Sequence, residues 1–463
     1  MQQGIEFDPD LIRRYDKAGP RYTSYPTAVQ FHEGFGEPEY RAAAQASNEA
    51  VPARPLSLYF HIPFCARVCF YCACNKVVTK DRSRAAPYLR DLYREMALQS
   101  ALFDSQRVVD QLHWGGGTPT FLSHAEMAEL MEQTARHFRL RTDDGGEYAV
   151  EVDPREADPT TIAHLRRLGF NRLSLGVQDF DPRVQRAVNR IQSEAETRAI
   201  MDAAREQGFK SVNVDLIYGL PFQTEASFAR TVERIIEAAP DRLSVFNYAH
   251  LPERFKPQRR IRAEDLPSPA EKLAILRRTI DQLSDAGYLY IGMDHFARPD
   301  DELAVAQREG RLHRNFQGYS THAGADLVAL GITSISQVGE TYSQNVRTLD
   351  EYHRHLAHGR LPVWRGVTLT ADDRLRRHVI SRLICHFELD TREVERRFGI
   401  DFEEYFDAEL ADLEAMRADG LVQWEAERLV VPLTGRLLIR NVCMVFDRYL
   451  REAASQQRFS RVI

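Results

Sequence analysis

Three cysteines, Cys65, Cys69 and Cys72, stand in a C-x-x-x-C-x-x-C spacing, close enough for one loop to turn three thiolates toward a single inorganic centre. Cys74 adds a fourth thiol two residues on. Three chemistries compete for such a loop. A disulfide framework fits poorly. Six cysteines in 463 residues are sparse, four of them crowd one loop, and the first residues, MQQGIEFDPDLIRRYDK, hold no continuous apolar leader. Tetrahedral zinc ordinarily draws on two cysteine pairs well apart in sequence, so that separate knuckles meet at the metal. Three thiols within eight residues suit an iron–sulfur cubane with one iron left open.

Other residue patterns downstream have chemical readings beside bland ones. Gly115-Gly116-Gly117-Thr118-Pro119 follows a strand-like run, where glycines let a ligand or another piece of backbone come close; a glycine triplet is also often a plain turn. Glu151 ends the apolar run of VEVDPRE and offers a carboxylate for hydroxyl or ammonium groups, whereas Asp153 suits a helix N-cap. Arg254, Lys256, Arg259, Arg260 and Arg262 make 253–262 basic, which reads as a solvated face or as a capture patch for carboxylates.

The elements that must position these residues are legible as alternation. Short β-branched and aromatic runs at Leu56–Ile62, Val108–Trp114, Tyr148–Val152, Arg172–Val177, Ser211–Tyr218, Leu243–Tyr248 and Leu289–Met293 alternate with longer helical segments such as Tyr88–Leu102. This is the mark of βα units on a parallel sheet, with the loops after the strands gathering at one edge. Pro63 ends the first run because it has no amide proton. Residues 1–50 form an N-terminal arm whose Tyr22 and Tyr25 either pack on the main domain or meet a substrate. Residues 51–362 form the main domain. From 363 to 463 helical periodicity dominates, with the hairpin-like LVQWEAERLVV suggesting a winged helix; Cys385 and Cys443 there read as buried thiols.

Composition bounds the rest. Hydrophobic residues make up 43%, enough for a substantial core, and no run of eighteen apolar residues is present, so a membrane span is not expected. A net charge of −6 argues against a general grip on nucleic acid. The expected location is the cytoplasm, and no coiled-coil seam opposes a monomer.

The longer motifs, PRYTSYPT from Pro20, HIPFCARVCFYCACNK, HWGGGTPT, VEVDPRE, DLIYGLP, HRNFQGYST and the FSRVI tail, resemble the radical S-adenosylmethionine (SAM) enzymes, and among them the oxygen-independent coproporphyrinogen III oxidase family. The resemblance implies a partial (β/α)6 barrel with an N-terminal arm and a mainly α-helical, winged-helix-like C-terminal domain. It further implies a [4Fe–4S] cluster on Cys65, Cys69 and Cys72, and two SAM molecules. Tyr59, Tyr71, Gly115, Gly116, Gly117, Glu151, Gln178, Arg190, Asp215, Ala249 and Ile335 match family positions for cofactor binding; Phe316 and Gln317 match positions of the reaction chamber. Taken alone, Arg190 reads equally as a surface cation and Asp215 as a buried hydrogen-bonded residue. Aromatic walls are expected at Tyr59, Phe64, Tyr71 and Phe316. The implied reaction turns two propionates of coproporphyrinogen III into the vinyl groups of protoporphyrinogen IX with loss of two CO2. Each step uses one 5′-deoxyadenosyl radical and one electron from a low-potential donor. Cys74, as a ligand, would close the open iron, so a supporting role is expected. A haem-binding or haem-delivery protein on the same fold is the alternative; Cys74 and PRYTSYPT match the oxidase branch.

Overall fold

The computed structural model describes residues 5–452; the FSRVI tail lies outside them. Composition divides the chain at residues 50 and 362, but contacts group it differently. One compact unit comprises the described residues of Met1–Val29, Leu273–Ala323 and Leu369–Ile463, the other Gln30–Lys272 and Gly324–Thr368.

The second unit carries the cysteine loop on a sheet. Six strands, β1 (Leu56–Ile62), β2 (Val108–Gly116), β3 (Glu147–Val152), β4 (Arg172–Gln178), β5 (Ser211–Tyr218) and β6 (Arg242–Asn247), lie side by side in sequence order, all parallel. Six of the seven β1 residues are buried, as a strand covered on both faces requires. Between them run α1 (Ala85–Ser100), α2 (His124–His137), α3 (Pro159–Arg167), α4 (Glu194–Glu206) and α5 (Glu225–Ala238). The starts of α2 to α5 are fixed by side-chain caps from Ser123, Asp158, Ser193 and Thr224. This is the partial (β/α)6 barrel. On the other side of β1 the sheet continues with β7 (Asp326–Leu330), parallel to it. The antiparallel β8 (Ile335–Val338), β9 (Thr341–Asn345) and β10 (Val363–Thr368) follow.

One expected barrel strand is corrected. The run at 289–293 forms a strand, Leu289–Gly292, but it folds back antiparallel on His295–Ala297 within the first unit. The reason is local: Gly292 and Met293 take φ of 142° and 55°, a reversal no continuing strand tolerates. The parallel neighbour on the other side of β1 is β7, which was not among the expected strands and all five of whose residues are buried.

The first unit is mainly helical, with a small wing. Helix α6 (Ala371–His386) carries a buried stripe, and Glu388–Asp390, Arg428–Val430 and Gln423–Glu425 form a three-stranded antiparallel sheet in that order. Cys385 and Cys443 are buried thiols, as expected. Tyr22 and Tyr25 are buried too. The Tyr22 hydroxyl donates to Asp447 at 2.9 Å, and the Tyr25 ring sits 5.9 Å from that of Tyr449, so the PRYTSYPT segment packs on the C-terminal residues of its own unit. Among the described residues no helix is long and apolar enough to cross a membrane.

Candidate metal centre at the carboxyl edge of the sheet

The cysteine loop leaves β1 at Pro63 and is closed at its base. Phe64–Cys65 pairs in parallel with Val77–Val78, and the Val77 and Thr79 amides donate to the Pro63 and Cys65 carbonyls at 2.7 and 2.9 Å. Twelve residues, Cys65 to Lys76, are thereby held as a ring of chain with all four loop thiols free. Its far side is moored as well: the Phe70 amide donates to the Val188 carbonyl at 2.9 Å, Asn189 to the Val68 carbonyl at 2.7 Å, and Gln258 to the Tyr71 carbonyl at 2.9 Å.

Each of the three cysteines meets a different environment. Thr118 donates to Cys65 Sγ at 3.6 Å, yet burial pushes that thiol up to about 11. Cys69 receives two guanidiniums, Arg155 at 3.5 Å and Arg190 at 3.4 Å. Asp153 binds both arginines, at 2.7 and 3.0 Å; burial opposes its charge, but the Arg190 and Arg155 cations outweigh it and hold the carboxyl down to about 2. The Cys72 thiol is drawn below its ordinary value by a hydrogen bond from Cys74, with Lys76 close by. Asp153 also accepts from the Arg155 amide, so the N-cap reading holds, with a second role the sequence did not disclose. Arg190, a possible surface cation by sequence, is buried and donates to the Gly176 carbonyl.

The glycine triplet acts at close quarters with the protein itself. A Cβ at Gly115 would lie 2.7 Å from the Glu151 carboxylate, at Gly116 2.5 Å from the His61 ring, and at Gly117 2.6 Å from the Pro63 backbone. Three neighbours therefore nest against β2 where any side chain would expel them. The Gly116 amide and His113 donate to the two Glu151 oxygens at 3.0 and 3.3 Å. Burial disfavours the charged carboxylate, but these partners together hold its pKa below the usual value. Tyr59 stacks on His113 at 5.7 Å and reaches His61 Nδ1 at 3.2 Å, while His61 Nε2 meets the Asn75 carbonyl of the cysteine loop at 3.1 Å. His61, His113, Arg155 and Thr118 were not foreseen; only the spacing HxPxC and HWGGGT next to foreseen residues pointed their way.

Four of the remaining positions, Gln178, Asp215, Ala249 and Ile335, lie on or just after strands of the same unit. Gln178 ends β4 at φ 71°, with its Oε1 buried and unpartnered; Arg190 Nε is unpartnered too. Asp215 on β5 is raised to about 6 by burial, against hydrogen bonds from Asn213 at 2.8 Å and Ser174 at 3.1 Å. Ala249 follows β6, and Ile335 opens β8. Phe316 and Gln317 form the turn of the hairpin His313–Asn315/Gly318–Ser320 in the other unit, where the Gln317 amide is capped by Asn315 at 2.8 Å.

Behind this edge α1 supplies a clamp. Tyr88 donates to the His61 carbonyl at 2.6 Å and accepts from the Ile332 amide at 3.3 Å. Glu95 accepts from the Gly331 amide at 2.8 Å, Asn345 at 2.7 Å and Tyr352 at 2.5 Å. Burial outweighs these donors and raises its carboxyl to about 7.

Among the described residues no three His, Cys, Asp or Glu side chains converge as one metal ion requires. A cubane asks something else, one thiolate on each of three irons, and three free thiols on a pinned loop fit it. The unpartnered Gln178 Oε1 and Arg190 Nε are polar atoms of the kind a bound SAM would satisfy.

Comparison with known proteins agrees with this geometry. The pattern of the radical SAM superfamily matches residues 59–235, and that of the HemN C-terminal domain matches 369–438. Oxygen-independent coproporphyrinogen III oxidase of Pseudomonas aeruginosa is 59% identical over 463 residues, covering 100% of both chains. The Escherichia coli protein of that name is 52% identical, covering 100% of this chain and 99% of its own. The solved structure described as coproporphyrinogen III oxidase (HemN) from Escherichia coli, a radical SAM enzyme, superposes with a TM-score of 0.92 at 50% identity, over 97% of this chain and 100% of that one.

Proposed function

Because the chain belongs to the oxygen-independent coproporphyrinogen III oxidase family of radical SAM enzymes, we propose that it converts coproporphyrinogen III to protoporphyrinogen IX by oxidative decarboxylation of two propionates. When bound, a [4Fe–4S] cluster and SAM would supply one-electron chemistry: reductive cleavage of the sulfonium and removal of a hydrogen from the ring-bearing propionate carbon, β to the carboxylate. Everything else falls to the chain. Cys65, Cys69 and Cys72 hold the cluster, and Arg155 and Arg190 offset the Cys69 charge while Asp153 fixes both guanidiniums. Glu151 stays ionised beside Gly116, ready for an ammonium or ribose hydroxyls of SAM. Tyr59 and Tyr71 wall the cluster loop, Gln178, Arg190, Asp215, Ala249 and Ile335 serve a second SAM, and Phe316 and Gln317 serve the reaction chamber. Cys74 supports Cys72 without being a ligand. The enzyme works in the cytoplasm as a monomer, with electrons from a low-potential donor.

The observation that carries the reading is the gathering of three free thiols, Glu151, Gln178 and Arg190 at one edge of the sheet. The test is anaerobic: reconstituted, reduced protein with SAM and coproporphyrinogen III under argon. Protoporphyrinogen IX with two molecules of 5′-deoxyadenosine per product is expected; transfer of haem without any protoporphyrinogen would reverse the assignment to the delivery function.

A further inference from the structure

An electron must reach the cysteine loop from outside, and one surface segment lies directly against that loop. The turn Lys256–Arg260 presses on it from the solvent side: Gln258 donates to the Tyr71 carbonyl at 2.9 Å, and the Arg260 guanidinium stands 5.0 Å over the ring of Phe70, the residue after Cys69. Gln258 and Ile261 are buried beneath, while Arg254, Lys256, Arg259 and Arg260 are exposed. Arg67 on the loop itself and Arg186, near the Val188 and Asn189 moorings, are exposed as well. Among the described residues none of these six cations has a carboxylate within ion-pair distance, and Glu253 is the only acid in 253–262. On a chain of net charge −6 this is a local basic patch, not a general attraction.

We propose that this patch is the docking surface for an acidic one-electron carrier protein that reduces the cluster. The inference rests on the proposed function, since only a redox centre in the loop gives it purpose. Charge complementarity selects the occupant. Cations that grip a substrate carboxylate in a closed chamber are desolvated, as Arg155 and Arg190 are, whereas these are solvated and suit steering of a transient partner. Electron-transfer complexes of this kind are small and polar, so a handful of exposed cations is enough. In the complex one electron leaves the carrier's reduced flavin or iron–sulfur centre and arrives at the cluster. The carrier is oxidised by one electron, the cluster is reduced by one, and no bond forms or breaks.

A flavodoxin serves as probe with the anaerobic holoenzyme. The double variant Arg254→Glu/Lys256→Glu removes two cations whose side chains hold no other part of the chain. It is expected to raise the dissociation constant for flavodoxin, and to slow bleaching of the cluster absorbance by reduced flavodoxin, by roughly tenfold or more. Its dithionite-driven turnover and KM for coproporphyrinogen III stay at parental values. Unchanged binding and bleaching overturn the proposal, and so does a raised KM with either reductant, which gives the patch to the substrate's propionates. If the variant loses iron, the parent holoenzyme decides: flavodoxin affinity must fall steeply between about 0.05 and about 0.5 M salt, and indifference to salt overturns the proposal. Absence of dithionite-driven turnover in the parent would instead count against the proposed function, while flavodoxin binding still reads out the patch.

Discussion

Asp153 and Glu95 are both carboxyl groups withdrawn from water in the sheet unit, and their pKa values move in opposite directions. Asp153 sits between two guanidiniums at the cysteine loop and is held down to about 2. Glu95 sits behind β1 and β7 among an amide N–H, an asparagine and a tyrosine, all neutral, and burial lifts it to about 7. The first is an anion that fixes two guanidiniums beside Cys69; the second, its carboxyl raised by burial, holds strand ends by accepting hydrogen bonds. Both are buried, so burial does not decide the charge. The neighbours do.

The comparison breaks most visibly at Asp153. Asp153→Asn leaves two buried guanidiniums facing each other without their anion, and a loss of about 3–5 kcal/mol in denaturant unfolding is expected, together with weaker iron retention. If stability changes by less than about 1 kcal/mol, the trio is not held by charge.

Next in size is the pH dependence, which runs in opposite senses at the two sites. The Glu95 carboxyl rises from 4.5 to about 7 on folding, so the folded state holds more protons across that window. Stability then falls as pH rises from about 4.5 to about 7, by roughly 3 kcal/mol. For Asp153, lowered from 3.8 to about 2, the contribution of about 2 kcal/mol is present above 3.8 and is lost as pH falls toward 2. In Glu95→Gln the first slope should vanish, at a cost of about 1–3 kcal/mol because the new NH2 faces donors. Unfolding midpoints of parent and variant at pH 5, 6 and 7 measure this; parallel curves would unseat Glu95 as the source.

The smallest effect belongs to Thr118. Thr118→Val removes the hydroxyl that reaches Cys65 Sγ, and a modest fall in the cluster's reduction potential is expected, since hydrogen bonds to sulfur stabilise the reduced state. Redox titration followed by electron paramagnetic resonance reads it, and an unmoved potential makes the contact incidental.

These features were unequally legible in the sequence. The six strands could be read because each is a short apolar run between turn signals, and the loop because cysteine spacing is chemistry in itself. Strand β7 was missed although DLVAL is wholly buried: it comes after 296–325, where a short helix, Glu302–Arg308, and a hairpin replace the βα alternation. The run at 289–293 was assigned to the barrel because an antiparallel hairpin and a barrel strand share the same apolar signature, and only the positive φ at Gly292 and Met293 separates them. Asp153, Arg155 and Arg190 could not be joined on paper, since 35 residues separate the last two and only the parallel register of β3 with β4 brings them together. The glycine triplet pointed to close approach, but what approaches is Glu151, His61 and the Pro63 backbone, which spacing does not disclose.

The two-residue ladder at the base of the cysteine loop has a consequence for assembly. Because Phe64–Cys65 and Val77–Val78 already tie the ends of the segment, the entropy of closing it is spent during folding, before any iron arrives. The apoprotein should thus present a ready-made basket to whatever machinery delivers iron and sulfide, and a damaged cluster can be lost and refilled without the surrounding barrel having to unfold.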